Sequence, residues 1–90
     1  MQSKNKKTMS EAERKYVGRI KAMPCGLCSA AGPSDCHELE QGFWFTSIPL
    51  CRDCHMGSLN GWHGQKRMWS VMKETELSVL DKTIKELVGK

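Results

Sequence analysis

Residues 25–54 read CGLCSAAGPSDCHELEQGFWFTSIPLCRDC, and two phrases in that stretch decide the fold: Cys25-Gly26-Leu27-Cys28 and Cys51-Arg52-Asp53-Cys54. Two residues between paired cysteines put both sulfurs on one side of a tight knuckle. Two such knuckles, here separated by twenty-two residues, make a tetrahedral thiolate cage, and a four-cysteine cage has no open coordination position. The ion it implies is a structural zinc. The other reading, two unrelated redox or core pairs, lacks the βαβ setting that a thioredoxin-like motif needs.

Outward from the knuckles, the residues between them read as a hairpin. Residues 29–34, with Gly32-Pro33, form a loop. Asp35 to Glu40 is the first strand and Gln41-Gly42 the turn. Phe43 to Leu50, aromatic and β-branched, is the second strand. On the N-terminal side, Ser10-Glu11-Ala12-Glu13 has the form of a capping box, which starts a helix running to about Lys21 with Tyr16, Val17 and Ile20 as its apolar stripe. Pro24 stops it, since the residue before a proline avoids the helical region. After the second knuckle, Gly57, Gly61 and Gly64 limit any helix to a short or broken one. Residues 65–73 carry Met68, Trp69 and Met72 at helical spacing. Thr75 then caps a last helix whose Leu77, Leu80, Ile84, Leu87 and Val88 are expected to pack on the zinc core. The fold class expected is a small zinc-stabilised α+β domain of treble-clef or ββα-metal type, with an N-terminal helix and C-terminal helices. Residues 1–9 read as a flexible basic arm and 10–90 as a single zinc-binding domain.

Size agrees with this. Ninety residues allow one domain, and a chain so short buries a modest core that a metal staple helps to hold. Hydrophobic residues make up 39% and charged residues 27%, a globular composition with no apolar run near the roughly 20 residues of a membrane-spanning helix. Lys4, Lys6 and Lys7 are followed by no apolar stretch, so the N-terminus does not read as a signal peptide. The expected location is cytoplasmic, with no membrane partner, and in a reducing interior paired cysteines read as metal ligands rather than disulfides. The net charge of +4, from fourteen basic and ten acidic residues, permits binding to nucleic acid without requiring it.

The three histidines fall in one 27-residue window: His37 on the expected first strand, His55 directly after the last cysteine, and His63 eight residues later. They can be packed or supporting residues of the zinc fold. Alternatively, His37, Glu38, His55 and His63, with Asp35 as a further oxygen donor, can supply a second divalent metal site, since imidazole suits transition metals. An imidazole beside such an ion can also act as a general base on water. Cys36, the odd cysteine, reads as a small buried hydrophobe or as a neighbour of that site.

The pattern Cys25-x-x-Cys28, Cys36-His37-Glu38, Ile48-Pro49-Leu50-Cys51-x-x-Cys54-His55 and then His63 resembles the HNH (ββα-metal) endonuclease superfamily, and more narrowly the small HNH-like proteins of bacteriophages and prophages. The resemblance covers residues 25 to 64. It implies a hairpin histidine, His37, as general base, with His55 and His63 as ligands of one divalent ion and Glu38 as a further candidate. It implies Mg²⁺, Mn²⁺, Ni²⁺ or Zn²⁺ as that ion, DNA as substrate, and the interior of a bacterial host as location if the gene is phage-borne. The chain has Cys36 where the family usually has His or Asp, Thr46 near the place of its central asparagine, and Leu59 where its last ligand usually falls.

Trp44 and Trp69 read as core. Trp62, in the glycine-rich stretch, reads as an exposed residue that stacks on bases. Lys66 and Arg67 can contact phosphate or form a solvated helix face, and Lys4, Lys6 and Lys7 can add salt-sensitive affinity. The first function expected is a metal-dependent DNA endonuclease of HNH type. The alternative is a non-catalytic zinc module that binds DNA or a replication or recombination protein, and a purely structural adaptor using the last helix is a third reading.

Overall fold

A computed structural model describes residues 8–89. The expected basic arm falls largely on residues 1–7, outside the described residues. The elements are α1 (Glu11–Lys21), β1 (Asp35–Glu38), β2 (Ser47–Leu50), α2 (Arg52–Met56), α3 (Arg67–Met72) and α4 (Glu76–Val88), with a 3₁₀ turn at Trp44–Thr46 just before β2. The result is a small α+β fold: helices around one two-stranded antiparallel sheet.

Helix α1 starts as the sequence dictates. Ser10 Oγ accepts from the Glu13 N–H (3.1 Å) and the Ser10 N–H donates to Glu13 Oε1 (2.8 Å), so two otherwise orphaned donors are satisfied. Arg19 and Lys21 lie in the last turn, where positive charge complements the helix dipole. Ile20 is fully buried, and the Tyr16 ring tilts against Phe45 at 5.1 Å.

The hairpin pairs Asp35 with Leu50, Cys36 with Pro49, His37 with Ile48 and Glu38 with Ser47. It is shorter than the residues suggest. The second strand begins at Ser47 rather than Phe43, and the first ends at Glu38 rather than Glu40. Side-chain and turn hydrogen bonds capture the intervening backbone. Glu38 Oε1 accepts from Gly42 N–H (2.7 Å), the Thr46 hydroxyl donates to the Phe43 carbonyl (2.7 Å), and Phe43 and Thr46 N–H close turns onto Glu40 and Phe43. Gly42 takes φ +89° at the tip, a conformation natural to glycine.

All four β2 residues are buried, because α1 covers the hairpin as well as α2 and α4. The core joins Cys25, Leu27, Ile48, Leu50, Cys54, Trp69 and Val79, so the first knuckle, the hairpin and the last two helices share one interior. The Gly26 N–H donates to the Pro49 carbonyl (2.8 Å), and a Cβ at Gly26 would lie 2.8 Å from Val79 Cγ1. That glycine lets α4 seat directly on the knuckle.

Helix α4 is rotated from the face its apolar residues suggest: Leu80 packs on the core and Leu87 is half-buried, but the most buried positions are others. Val79 is fully buried and Thr83 nearly so, with Leu80 beside them, whereas Leu77 and Val88 are 69% and 78% exposed and Ile84 is also exposed. Thr83 is tolerated inside because its hydroxyl donates to the Val79 carbonyl (2.8 Å). Glu76, one turn ahead of Val79, is turned inward to a histidine, which fixes the rotation of the helix. Thr75 and Ser78 cap its start reciprocally (2.8 and 3.0 Å). Helix α3 is shorter than expected, beginning at Arg67 after Lys66 and ending before Lys73, both left-handed.

Candidate metal centres

The first centre is the cysteine cage. Cys25, Cys28, Cys51 and Cys54 offer sulfurs that all lie within 4.8 Å of one another, and none is in a disulfide. Cys28 Sγ and Cys51 Sγ are 3.7 Å apart. Zinc–sulfur bonds of about 2.3 Å at tetrahedral angles put sulfurs about 3.8 Å apart, so the donor set fits zinc. Local backbone supports it: Leu27 and Cys28 N–H donate to Cys25 Sγ and Cys54 N–H donates to Cys51 Sγ, all at 3.4 Å. Cys51 is also the N-cap of α2, which aims the positive end of that short helix at the cage.

The thiols respond unequally. Burial pushes Cys25 up, but the hydrogen bonds from Cys28, Cys51 and Leu27 outweigh it and bring it down to about 7. Burial and neighbouring thiols push Cys54 up, and burial does the same to Cys28. Crowded sulfurs cannot all carry charge on their own; a bound cation deprotonates coordinating thiols. This group can hold a structural metal such as zinc.

The second centre is built by His37, His55 and His63, whose donor atoms also lie within 4.8 Å of one another. His37 comes from β1, His55 from the last turn of α2, and His63 from the loop beyond. The ring centroids form a near-equilateral triangle with sides of 5.0, 5.3 and 5.1 Å. The eight-residue gap between His55 and His63 is closed by a tight loop instead of a helical turn. Trp62 N–H donates to the Cys54 carbonyl (2.9 Å) and His63 N–H to the His55 carbonyl (3.1 Å), which folds the segment back on α2. The three glycines make this possible: a Cβ would meet Asp53 oxygens at 2.3 and 2.5 Å from Gly57, Gly57 backbone at 2.6 Å from Gly61, and the Gly57 carbonyl at 2.3 Å from Gly64. Asn60 Nδ2 donates to Asp53 Oδ2 (2.9 Å), tying the loop to the helix.

Two carboxylates hold the rings from outside. His55 Nδ1 donates to Asp35 Oδ2 (3.0 Å), and His37 Nε2 donates to Glu76 Oε2 (2.5 Å), the tautomers following from the acceptor-only carboxylates. Arg52 Nε approaches the same Asp35 oxygen at 3.4 Å. His37 is buried, His55 half-buried and His63 exposed, so the cluster opens to solvent on the His63 side. Partial burial, then the neighbouring His37 and His55, hold His63 below its ordinary value.

Of the other residues singled out by sequence, Glu38 is engaged with the Gly42 turn and lies outside both ligand groups. Asp35 sits behind His55. Cys36 is in neither group; burial raises its thiol. Trp62 is half-buried rather than exposed. Its ring meets Trp69 at 4.9 Å and His37 at 6.5 Å, with Lys66 Nζ 4.3 Å over it. Lys66 and Arg67 are exposed, and no described helix is long and apolar enough to cross a membrane. Glu76 is the participant that sequence reading missed. Its only signal is its place one turn before Val79 on the inward face of a capped helix. Protein-family models, curated proteins and solved structures give no match to this chain.

Proposed function

We propose that the protein is a metal-dependent DNA endonuclease of HNH type, working on a treble-clef scaffold held by zinc at Cys25, Cys28, Cys51 and Cys54. The observation that carries this reading is the convergence of His37, His55 and His63 beside, but separate from, the cysteine cage. A closed thiolate cage is sufficient for a structural role; a three-imidazole group that opens to solvent at His63 has a different use. The scaffold reading rests on the order knuckle, hairpin, then a helix whose N-terminus carries the second cysteine pair.

His37, His55 and His63 would hold a divalent ion, which would supply Lewis-acid stabilisation of a phosphate and its leaving oxygen. The chain supplies the rest. Asp35 and Glu76 orient His55 and His37, the indole of Trp62 and the hairpin wall one side from water, and the open His63 side admits a backbone phosphate. Exposed Lys66 and Arg67 lie four residues or fewer from His63 along the chain, where they add phosphate affinity.

Metal-defined protein incubated with plasmid, branched and single-stranded DNA, with Mg²⁺, Mn²⁺ or Ni²⁺ added, tests the reading. Ion-dependent cleavage that disappears in His37→Ala supports it. DNA binding without cleavage turns the account to the non-catalytic module, and neither binding nor cleavage leaves an adaptor.

A further inference from the structure

The resemblance to HNH enzymes sets His37 apart as a base. The geometry treats it as one of three equals. A ring nitrogen about 2.1 Å from a tetrahedral ion puts its ring centroid about 3.2 Å out, so three ligating imidazoles have centroids about 5.2 Å apart. The observed sides of 5.0, 5.1 and 5.3 Å match that figure on all three edges. The outer hydrogen bonds agree. His55 spends Nδ1 on Asp35 and His37 spends Nε2 on Glu76, and each keeps its other nitrogen. A carboxylate on the far nitrogen is the usual support of a metal-ligating histidine, fixing ring orientation and raising basicity. Neither carboxylate joins the group of mutually close donors, so both stand behind the imidazoles.

We infer that His37, His55 and His63 together ligate one divalent transition-metal ion, with Asp35 and Glu76 as outer carboxylates and the His63 side open to an oxygen ligand such as a phosphate ester. The donor set also selects the ion. Three neutral imidazoles suit zinc, nickel, cobalt or iron, whereas magnesium prefers carboxylate, phosphate and water oxygens. Two outer carboxylates balance the dipositive charge without entering the coordination sphere. The C-terminal helix thereby belongs to the site, since Glu76 is its first residue and Val79 and Thr83 anchor it to the core. This deepens the endonuclease reading by naming the ion and the role of His37.

The test uses the full chain with its cysteine cage filled by one equivalent of zinc, titrated with Co²⁺. The parent is expected to take up one Co²⁺ with d–d absorption and no thiolate charge transfer, and X-ray absorption at the cobalt edge should show three imidazoles. His63→Ala, at an exposed position, and His37→Ala should each weaken Co²⁺ binding at least tenfold, and Glu76→Gln about 10–100-fold, with cage zinc and far-UV circular dichroism unchanged. Two imidazoles at the cobalt, or parent affinity in His37→Ala, overturns the inference; if cleavage is lost in that same variant, His37 is the base and the endonuclease reading stands. Three imidazoles without cleavage of any DNA upholds the site and removes the endonuclease.

Discussion

Gly64→Ala separates the two metal centres. A Cβ at this position lies 2.3 Å from the Gly57 carbonyl oxygen and 2.5 Å from that of Ser58, both backbone atoms, and ordinary contact begins at 3.4 Å. The loop must open by about 1 Å. It cannot do so while keeping the bonds of Gly64 N–H to Gly61 (2.9 Å), Gln65 N–H to Ser58 (3.0 Å) and Lys66 N–H to Gly61 (3.0 Å). His63 is the adjacent residue, and a metal site holds its distances to about 0.2 Å. A shift several times that tolerance takes His63 off the ion, and Co²⁺ affinity at the histidine centre is expected to fall at least about tenfold, or about 1.4 kcal/mol. The added methyl also strains the loop by about 1–3 kcal/mol, lowering the melting temperature by about 4–8 °C per kcal/mol in a domain of this size. The last cage cysteine, Cys54, lies in α2 ahead of the glycine loop, and the cage should keep its zinc. The assay is Co²⁺ titration of the zinc-loaded variant, followed by its visible spectrum, with zinc counted by mass spectrometry. Parent Co²⁺ affinity in Gly64→Ala would refute the claim that this glycine loop positions His63.

Three further perturbations address the scaffold. Cys51→Ser removes a cage ligand while leaving a serine hydroxyl that can still cap α2, so the loss isolates the metal: the chain is expected to lose its cooperative thermal transition, because structural zinc contributes folding energy outright; a folded, zinc-free variant would contradict the cage. Trp69→Phe deletes the indole N–H that donates to the Cys54 carbonyl (3.1 Å); the carbonyl keeps the Trp62 N–H, so the change should cost about 0.5–1.5 kcal/mol by denaturant unfolding, with both metals still bound. Gly18→Ala should stabilise α1 by about 0.5–1 kcal/mol, since nothing lies within 4 Å of the new methyl; a lower melting temperature would show that this helix face is not free.

What could be read from sequence was whatever is written locally. Paired cysteines two apart state their geometry in four residues, and Ser10 with Glu13 states a helix start in the same way. The hairpin could be located but not measured, because aromatic residues at 43–45 look like strand while Glu38, Gly42 and Thr46 bind the backbone into turns. The inward face of α4 is only partly legible for a related reason. Counting apolar residues selects Leu77, Leu80, Ile84, Leu87 and Val88, of which Leu80 packs on the core, yet rotation is set by Val79 against Gly26 and by Glu76 against His37, partners 53 and 39 positions away. Trp62 looked exposed among glycines because nothing local reveals that the loop folds back onto α2. His55 and His63 were both visible as candidates, but their convergence depends on glycine contacts that only the folded chain displays.

The most direct test of the account is a metal count under native conditions. Native mass spectrometry of the chain with added zinc or cobalt is predicted to show two bound ions in the parent, one in His63→Ala and one in His37→Ala, the remaining ion in each resisting a mild chelator. A parent that never holds more than one ion, with the histidine variants identical to it, would contradict a second metal centre and with it the metal-dependent chemistry assigned to this fold.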